Sequence, residues 1–372
     1  MIPVFEPIIG EEEIEAVTQA LRRGEISGNF GQALHAFEHE FAQFCGVKHG
    51  VAVTSGTTAL HLAVAAAGLK PGDEILISES TNIATALAVI HNGAVPVGVD
   101  SEAETWNLNL DLIEPLITPR TKAIIPVHLF GHPVDMDRLM EIARKHRLLV
   151  IEDAAEAHGA TVRGRRAGGI GEMGCFSFYA NKIITTGEGG MVVTDNAALA
   201  ERLRLLRNLA FTKPRFKHDA AGFNFRMTGY QAAMGLAQLH KVDSIIKKKR
   251  DLAQRYGRQL RDIPGLQLPP EMPWAMNVYW MYAVLVNEEF GCSRDELAAH
   301  LERAGIETRT FFCPMSQQPC LLERADFRPH ASPVADRLWE RGLYLPSAFS
   351  LSDGDVALIA AKIREARGAR PG

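Results

Sequence analysis

Short apolar runs alternate with longer amphipathic stretches through most of the chain. The apolar runs predict β-strands at residues 51–54, 74–78, 95–100, 121–127, 148–152 and 174–178. Helical periodicity in the amphipathic stretches predicts helices at residues 11–23, 34–44, 59–67, 82–91 and 135–145. Strands that alternate with helices are typical of a mostly parallel sheet with helices on both faces. The predicted fold class is therefore α/β.

The pattern changes in the second half of the chain. The run 191–194 predicts one antiparallel strand added to the sheet, and residues 228–260 predict a long, bent helix. A cluster of prolines then breaks the pattern, and a strand (281–286) and a helix (293–304) follow. We therefore predict a large α/β domain over residues 1–245 and a smaller α+β domain over residues 246–372.

Composition narrows the possible classes of protein. The chain has 372 residues, 47% hydrophobic and 23% charged, with a formal net charge of −4. This usage favours a globular protein with a large core and gives no basic field for nucleic acid. The basic run 247–250 is predicted to be a solvated helix face. The cysteine pattern, the absence of a signal sequence and the lack of a membrane-spanning run favour a cytoplasmic protein.

The segment after the last parallel strand carries the most distinctive chemistry. Residues 175–190 read CFSFYANKIITTGEGG, so that Lys182 follows Ser177 by five positions, and Asp153 ends an apolar run upstream. A lysine can form a Schiff base with an aldehyde, and a carboxylate can keep a pyridine nitrogen protonated. Hydroxyl and backbone amide groups can bind a phosphate. Together these residues predict a pyridoxal phosphate site in which Lys182 is the reactive amine.

Two supporting motifs each allow a second interpretation. Ser55-Gly-Thr-Thr58 lies between a strand and a helix, where N–H groups without helical partners can bind phosphate. The same motif is equally consistent with a simple capped helix. Asp153 could hold a cofactor ring at the end of its strand or could cap a helix. The Lys182 segment downstream favours the cofactor interpretation of Asp153.

Other patterns point away from metal and nicotinamide sites. His35-Ala-Phe-Glu-His39 matches a zinc-hydrolase pattern, but it lies on a short amphipathic helix rich in phenylalanine. His128, His132 and His158 lie in segments that fit a cofactor pocket better than a metal site. No Gly-x-Gly-x-x-Gly follows the first strand, which argues against a nicotinamide-dependent oxidoreductase. We therefore predict no metal site.

Several motifs occur in one order and together resemble a known family. They are SGTTAL at residues 55–60, PVHLFG at 126–131, EDAAEAHGA at 152–160, FSFYANKIITTGEGG at 176–190 and GFNFRMT at 222–228. This order is similar to that of the DegT/DnrJ/EryC1/StrS family of nucleotide-sugar aminotransferases of fold type I. The similarity extends over about residues 3–350. The sequence of the Lys182 segment is most similar to that of members that aminate a 4-keto-6-deoxy sugar.

The resemblance implies roles for the matching residues. Lys182 and Asp153 are implied to be catalytic, as the Schiff-base lysine and the partner of the pyridine nitrogen. Asn224 is implied to reach the phosphate in the neighbouring subunit, which implies a homodimer with shared active sites. The residues implied to bind the cofactor are Gly56, Thr57, Asp153, Glu156, Ser177, Lys182 and Asn224. The residues implied to contact the substrate are Ser27, His128, Glu188, Arg226 and Arg309.

The implied reaction is a ping-pong transamination. L-Glutamate would give its amino group to the cofactor, which would pass it to the keto group of a nucleotide-linked sugar. The resulting amino sugar would serve a surface polysaccharide or a related glycoconjugate. Three alternatives stay open at this point: dehydration of a keto-deoxy sugar, lyase-like formation of an aminohydroxybenzoate, and a non-catalytic regulatory protein that binds the cofactor. Dehydration is disfavoured because that branch of the family has histidine in place of Lys182.

The chain departs from the family pattern at two places. Asn82 stands where the family usually has an aromatic residue stacked on the cofactor. An amide cannot stack on a ring in that way, so the packing over the cofactor is expected to differ. In Pro314-Met-Ser-Gln317, a histidine that often follows the proline is missing. Both departures affect the expected sugar more than the expected chemistry.

Overall fold

The computed structural model describes residues 1–28 and 31–368. Its strands are β1 (His49–Val53), β2 (Glu74–Ser78), β3 (Val95–Val99), β4 (Thr121–Ile125), β5 (Leu149–Asp153), β6 (Thr161–Val162), β7 (Arg165–Arg166), β8 (Met173–Ser177), β9 (Gly190–Thr194), β10 (Leu266–Gln267), β11 (Ala275–Met276), β12 (Tyr282–Val286), β13 (Arg309–Thr310) and β14 (Gly342–Leu345).

The helices surround these strands. They are α1 (Glu11–Arg22), α2 (Ala33–Cys45), α3 (Gly56–Ala67), α4 (Ala84–Ile90), α5 (Ile113–Leu116), α6 (Met136–His146), α7 (Ala197–Arg207), α8 (Gly229–His240), α9 (Val242–Leu260), α10 (Arg294–Arg303), α11 (Pro319–Leu322), α12 (Pro333–Arg341) and α13 (Asp353–Gly368). Short 3₁₀ turns occur at Leu110–Leu112, Leu129–Gly131, Glu288–Phe290 and Met315–Gln317. Among the helices in the described ranges, none is long and apolar enough to cross a bilayer.

The central sheet has seven strands in the order β1-β9-β8-β5-β4-β2-β3. Strands β3, β2, β4, β5 and β8 pair in parallel, whereas β9 is antiparallel to both β8 and β1. The α/β fold class predicted from the sequence is confirmed, and so is the single antiparallel strand. Because parallel strands end at the same edge, the residues that follow β5 and β8 meet there.

Most side chains on both faces of the sheet are buried, which explains why its strands are largely apolar. Successive side chains of a strand point to opposite faces. In β1, Val51 and Val53 pack in the core beside α3 and α4, whereas Ala52 packs in the core that contains Phe37 and Phe41 of α2. Two separate apolar layers therefore hold the sheet in place.

The long helix predicted for residues 228–260 is two helices, α8 and α9, which meet at Lys241. The predicted boundary between residues 245 and 246 falls inside α9. Ile245 of this helix packs in the core with α2, whereas Tyr256 packs in a separate core beneath the second sheet. One continuous helix thus contributes to both cores.

The second sheet is antiparallel and has the order β10-β12-β14-β13. The N-terminal residues join this part of the molecule. Ile2 forms a parallel bridge with Ile306, and the Ser347 N–H donates to the Val4 carbonyl at 2.7 Å. The C-terminal part of the chain is thereby fixed against the N-terminal part, and elements of both surround one cavity.

Candidate active site

A cavity of about 320 Å³ lies where β5 and β8 end, beside the first turn of α3. This is the position at which open α/β sheets bind their ligands. Its lining residues come from widely separated parts of the sequence: Ser55, Gly56, Thr57, Leu60, Thr81, Asn82, Ala84, Val127, Asp153, Ala155, Glu156, Ser177, Tyr179, Asn181, Lys182, Glu188, Trp280, Phe312 and Tyr344.

One end of the cavity is formed by the N-terminus of α3. Ser55 caps this helix, since its hydroxyl accepts a hydrogen bond from the Thr58 N–H at 3.1 Å. The N–H groups of Gly56 and Thr57, in the first turn, have no carbonyl partner within the helix and favour an anion. A Cβ at position 56 would lie 2.6 Å from the Ser177 Cβ, so glycine is required for the Ser177 side chain to approach. The motif is therefore both a capped helix and a phosphate-sized donor site.

Asp153 forms the floor of the cavity at the end of β5. The Thr85 hydroxyl donates to its Oδ2 at 2.8 Å, and the Ala155 N–H donates to its Oδ1 at 3.2 Å. Burial raises the pKa of this carboxyl above its usual range, although these hydrogen bonds oppose the shift. No helix of the described chain begins here, because the next element is β6. Asp153 is therefore not a helix cap, and the positive charge of Lys182 acts on its carboxyl from within the chain.

Lys182 lines the same cavity as Asp153 and lies beside Glu156 and Trp280. Its Nζ is 3.9 Å from Glu156 Oε1 and 3.7 Å from the centre of the Trp280 ring. Burial lowers the pKa of Lys182, while the charges of Glu156 and Asp153 oppose this shift. A larger fraction of the amine is therefore neutral than for a lysine in water, as a nucleophile or proton acceptor requires.

Glu156 is held so that one of its oxygens faces Lys182. The Phe130 N–H donates to Oε2 at 2.8 Å, which leaves Oε1 on the lysine side. Phe130 has a φ of 52°, in the left-handed region, which turns its N–H toward Glu156. Burial raises the pKa of Glu156 to about 7, and the charge of Lys182 opposes this increase. The carboxyl can therefore change its charge near neutral pH.

The structure brings together only part of the set predicted from the sequence. Seven of those residues line the cavity: Gly56, Thr57, Asp153, Glu156, Ser177, Lys182 and Glu188. The other five lie outside its lining: Ser27, His128, Asn224, Arg226 and Arg309. All the residues predicted to bind the cofactor except Asn224 therefore line the cavity, whereas among the residues predicted to contact the substrate only Glu188 does so within the described chain.

The substrate contact predicted for His128 does not agree with its position. The side chain is fully buried, its Nε2 donates to Glu152 at 3.0 Å, and its Nδ1 accepts from the Val134 N–H at 3.1 Å. Glu152 also accepts the N–H groups of the loop at residues 168–171. Because both ring nitrogens are engaged beneath the cavity, His128 fixes that loop and does not face a substrate.

The remaining residues outside the cavity lie at the surface or next to it. Asn224 is exposed, and the guanidinium of Arg226 donates to Asn208 Oδ1 at 2.9 Å. Ser27 is half-buried, and a Cβ on the adjacent Gly28 would lie 3.5 Å from the Arg226 Cβ. Ser27, Asn224 and Arg226 therefore lie in one surface region. Arg309 is exposed, pairs with Glu307, and lies across from Tyr344 of the cavity lining in the pairing of β13 with β14.

Two other sequence patterns have structural explanations. In the zinc-hydrolase pattern, Glu38 points inward to an ion pair with Arg207, whereas His35 and His39 are exposed. The basic run is not a uniformly solvated face. Lys247 and Lys248 are exposed, but Lys249 is buried.

Sequence reasoning missed the aromatic side of the cavity. Trp280, Phe312 and Tyr344 come from the C-terminal part of the chain and line the wall beside Lys182. No local motif marks them, because ordinary core aromatics look the same in a sequence. Asn82 also lines the cavity, and its Oδ1 accepts the Ala84 N–H at 3.0 Å at the start of α4.

The residues present fit pyridoxal phosphate. The α3 N-terminus and the Ser177 hydroxyl suit a phosphate, Asp153 suits a protonated ring nitrogen, and Lys182 suits an aldehyde. The buried Oδ1 of Asn181 has no hydrogen-bond partner within the described part of the chain and lies in the cavity wall. Such an atom normally has a partner, so the site is built to receive a polar ligand.

Comparison with known proteins agrees with this geometry. Residues 7–364 match the model of the DegT/DnrJ/EryC1/StrS aminotransferase family. The GDP-perosamine synthase of Caulobacter vibrioides is 42% identical over 366 residues, which cover 97% of each chain. The dTDP-3-amino-3,4,6-trideoxy-alpha-D-glucose transaminase of Streptomyces venezuelae is 39% identical over 370 residues, covering 98% of this chain and 96% of the relative.

A solved structure is similar over the same length. The crystal structure of S. venezuelae DesV in complex with a ketimine intermediate superposes with a TM-score of 0.90 at 38% identity, covering 97% of this chain and 95% of that chain. These matches confirm the family and the transaminase class predicted from the sequence. The chain belongs to the DegT/DnrJ/EryC1/StrS aminotransferase family.

Proposed function

We propose that this protein uses pyridoxal phosphate to transfer an amino group from L-glutamate to a keto group of a nucleotide-linked sugar. The observation that carries the proposal is the position of the Lys182 amine. It lies in a cavity between two buried carboxylates, Asp153 and Glu156, next to the N-terminus of α3. A substrate amine, a cofactor ring and a phosphate can all be accommodated there.

Each part of the cavity has a distinct task. When bound, pyridoxal phosphate supplies a reactive aldehyde and a ring that withdraws electrons from the substrate carbon next to the nitrogen. Gly56 and Thr57 bind its phosphate through N–H groups, and the Ser177 hydroxyl adds a donor. Asp153 keeps the ring nitrogen protonated, because its buried carboxylate is stabilised by a positive partner.

Lys182 carries the proton during transfer. The Nζ accepts a proton from the carbon next to the donor nitrogen and returns it to the cofactor side, which requires a neutral amine. Burial of Lys182 provides that neutral fraction. The carboxylate of Glu156 at 3.9 Å stabilises the ammonium form that follows. The two effects keep the amine able both to accept and to release the proton.

The substrate is proposed to be a nucleotide-linked sugar of the 4-keto-6-deoxy type, whose product serves a surface polysaccharide or a related glycoconjugate. The names of the two relatives support the class, since one is a GDP-sugar and the other a dTDP-sugar enzyme. Their identities to this chain, 42% and 39%, are too close to choose between GDP and dTDP.

A direct assay tests the proposed reaction. The cofactor-loaded protein is incubated with L-glutamate and a panel of keto-sugar nucleotides, and the products are identified by mass spectrometry. We expect an amino sugar and 2-oxoglutarate in equal amounts, and neither product with Lys182→Ala. Conversion of the sugar without glutamate would indicate dehydration, and that result would overturn the proposal.

We further propose a homodimer in which each subunit completes the active site of the other. Asn224, the predicted phosphate contact, is exposed and outside its own cavity. The nearby segment exposes apolar side chains, including Phe211 and Phe216, as a surface covered by a second copy would. Ser27 and Arg226 lie in the same region and are proposed to contact the partner's substrate.

Mixed dimers test this arrangement. Lys182→Ala and Asn224→Ala are each expected to be nearly inactive as homodimers. If Asn224 acts in the partner's site, refolding the two variants together creates heterodimers with one intact site, and activity returns. Mixing without subunit exchange is the control. No recovery in verified heterodimers would show that Asn224 acts within its own chain or not at all.

A further inference from the structure

Trp280 has an unusual position for a core aromatic residue. It is 3% exposed, and one face of its ring lies 3.7 Å below the Lys182 Nζ. Phe130 lies nearly parallel to it, with an angle of 13° between the rings. The face of Trp280 and the Glu156 carboxylate, whose Oε1 is 3.9 Å away, therefore both border the reactive amine.

The orientation of Trp280 is fixed by two hydrogen bonds at opposite ends of the residue. Its indole N–H donates to the Asn181 carbonyl at 2.7 Å, directly before Lys182 in the chain. Its own carbonyl accepts from the Lys249 Nζ at 2.9 Å, and the same amine donates to the Ser347 carbonyl at 2.7 Å. Because the indole N–H is engaged, the ring cannot turn away without breaking its hydrogen bond to the Asn181 carbonyl.

We propose that Trp280 is a positioning residue for Lys182: its ring face holds the ammonium form of Lys182 whenever that amine is not bonded to the cofactor. The inference rests on the proposed function, because a transaminase releases this lysine from the cofactor in every cycle.

The physical basis is the negative face of the indole ring. An ammonium placed over it is stabilised by cation–π attraction, and tryptophan is the strongest of the aromatic residues in this respect. The neutral amine gains much less. The ring therefore favours the charged form and fixes the long side chain at one place, from which the amine can return to the cofactor. The Glu156 carboxylate acts in the same direction from the other side.

Other charged groups also influence Lys182 and Trp280. Asp153 acts on Lys182 through its charge, in addition to Glu156, and the charge of Lys182 adds to the effect of burial in lowering the pKa of His158. The Lys249 amine donates to the backbone carbonyl of Trp280, and burial lowers the pKa of Lys249 to about 7. A test has to separate the effect of Lys182 from the effects of these neighbours.

The test uses the protein without cofactor and reads the emission of Trp280. We expect a pH-dependent emission change in the wild type that disappears in both Trp280→Phe and Lys182→Met. Lys249 is intact in Lys182→Met, so loss of the titration there assigns it to Lys182. Trp274→Phe is the matched control: Trp274 has Arg163 at 5.7 Å from its ring but does not line the cavity. This variant should keep the titration.

A second readout is the rate at which the protein takes up pyridoxal phosphate at a pH below the pKa of Lys182. Loss of the ring face lowers the pKa, so Trp280→Leu should load roughly 2- to 30-fold faster there, and Trp280→Phe by a smaller factor. An emission titration that persists in Lys182→Met would overturn the proposal, and so would an unchanged loading profile in folded Trp280→Leu. Neither readout needs turnover, so failure to aminate any sugar leaves this test intact.

Discussion

Two lysines contact Trp280, one at the face of its ring and one at its backbone carbonyl, and only the first is suited to chemistry. Lys182 has its amine over the indole ring, in the wall of the cavity and near two carboxylates. Lys249 donates to the carbonyls of Trp280 and Ser347 and does not line the cavity. Burial lowers the pKa of both amines, for Lys249 to about 7.

The comparison shows that burial alone does not make a lysine reactive. Both residues pay the desolvation cost of a charge away from water. At Lys182 the amine lines a cavity and lies near carboxylates, so it can reach a ligand and exchange its proton. At Lys249 the amine instead donates to two backbone carbonyls, those of Trp280 and Ser347, and so links α9 to them. Access and the surrounding charges therefore decide function.

Replacing each lysine by methionine is the strongest test of this contrast. Lys182→Met should lose about 10³- to 10⁶-fold in turnover, because it removes both the attachment point and the proton carrier. Lys249→Met should still take up the cofactor and turn over. Steady-state rates and the absorption band of the bound cofactor measure the two effects. Comparable losses in both variants would remove the distinction.

Removing the charge of Asp153 should have the next largest effect on turnover. Asp153→Asn keeps the hydrogen bond from Thr85 but removes the negative charge. We expect turnover to fall about 10²- to 10³-fold, as for loss of one preorganised electrostatic contact. Thr85→Val is the matched control, because it removes the hydrogen bond and leaves the charge. Asp153→Asn with turnover near wild type would show that the ring nitrogen needs no carboxylate.

Lys249 should affect stability in a defined pH window. Its folded-state pKa of about 7 lies below the value of about 10.4 in an unfolded chain. Between these values the unfolded state binds more protons, so this residue makes the protein more stable as pH rises from about 7 to 10. The gain is expected to reach a few kcal/mol. Urea unfolding of wild type and Lys249→Met across this range measures it, and parallel curves would contradict the buried charge.

Glu156 should produce the smallest effect, on the pH dependence of activity. Its pKa is raised to about 7 by burial, so the carboxylate forms as the pH rises through neutrality. Glu156→Gln keeps an acceptor for the Phe130 N–H but has no charge to change. We expect about a tenfold loss of turnover at most, together with loss of the rate change near pH 7. A wild-type pH profile in this variant would assign that rate change to another group.

The local sequence was sufficient to predict features that depend on neighbouring residues, such as strands and the polar residues at their ends. The predicted strand at residues 74–78 coincides with β2, and the antiparallel strand predicted at residues 191–194 lies within β9. Lys182, Asp153 and Ser177 were found because each ends or follows an apolar strand, and the ends of parallel strands meet at one edge. The break between two helices was not predicted: α8 and α9 meet at Lys241 but were predicted as one helix.

The sequence alone determined the order of strands and helices, the family and the residues that line the sheet edge, since these depend on short-range patterns and on motifs in fixed order. Only the tertiary structure decided which lysine of a basic run is buried, that His128 holds a loop, and that Trp280 lies beneath Lys182. These facts depend on contacts between residues that are far apart in the sequence, from 24 positions for His128 with Glu152 to 99 for Asn181 with Trp280. No periodicity in the chain records such contacts, because they arise only when separate elements pack together.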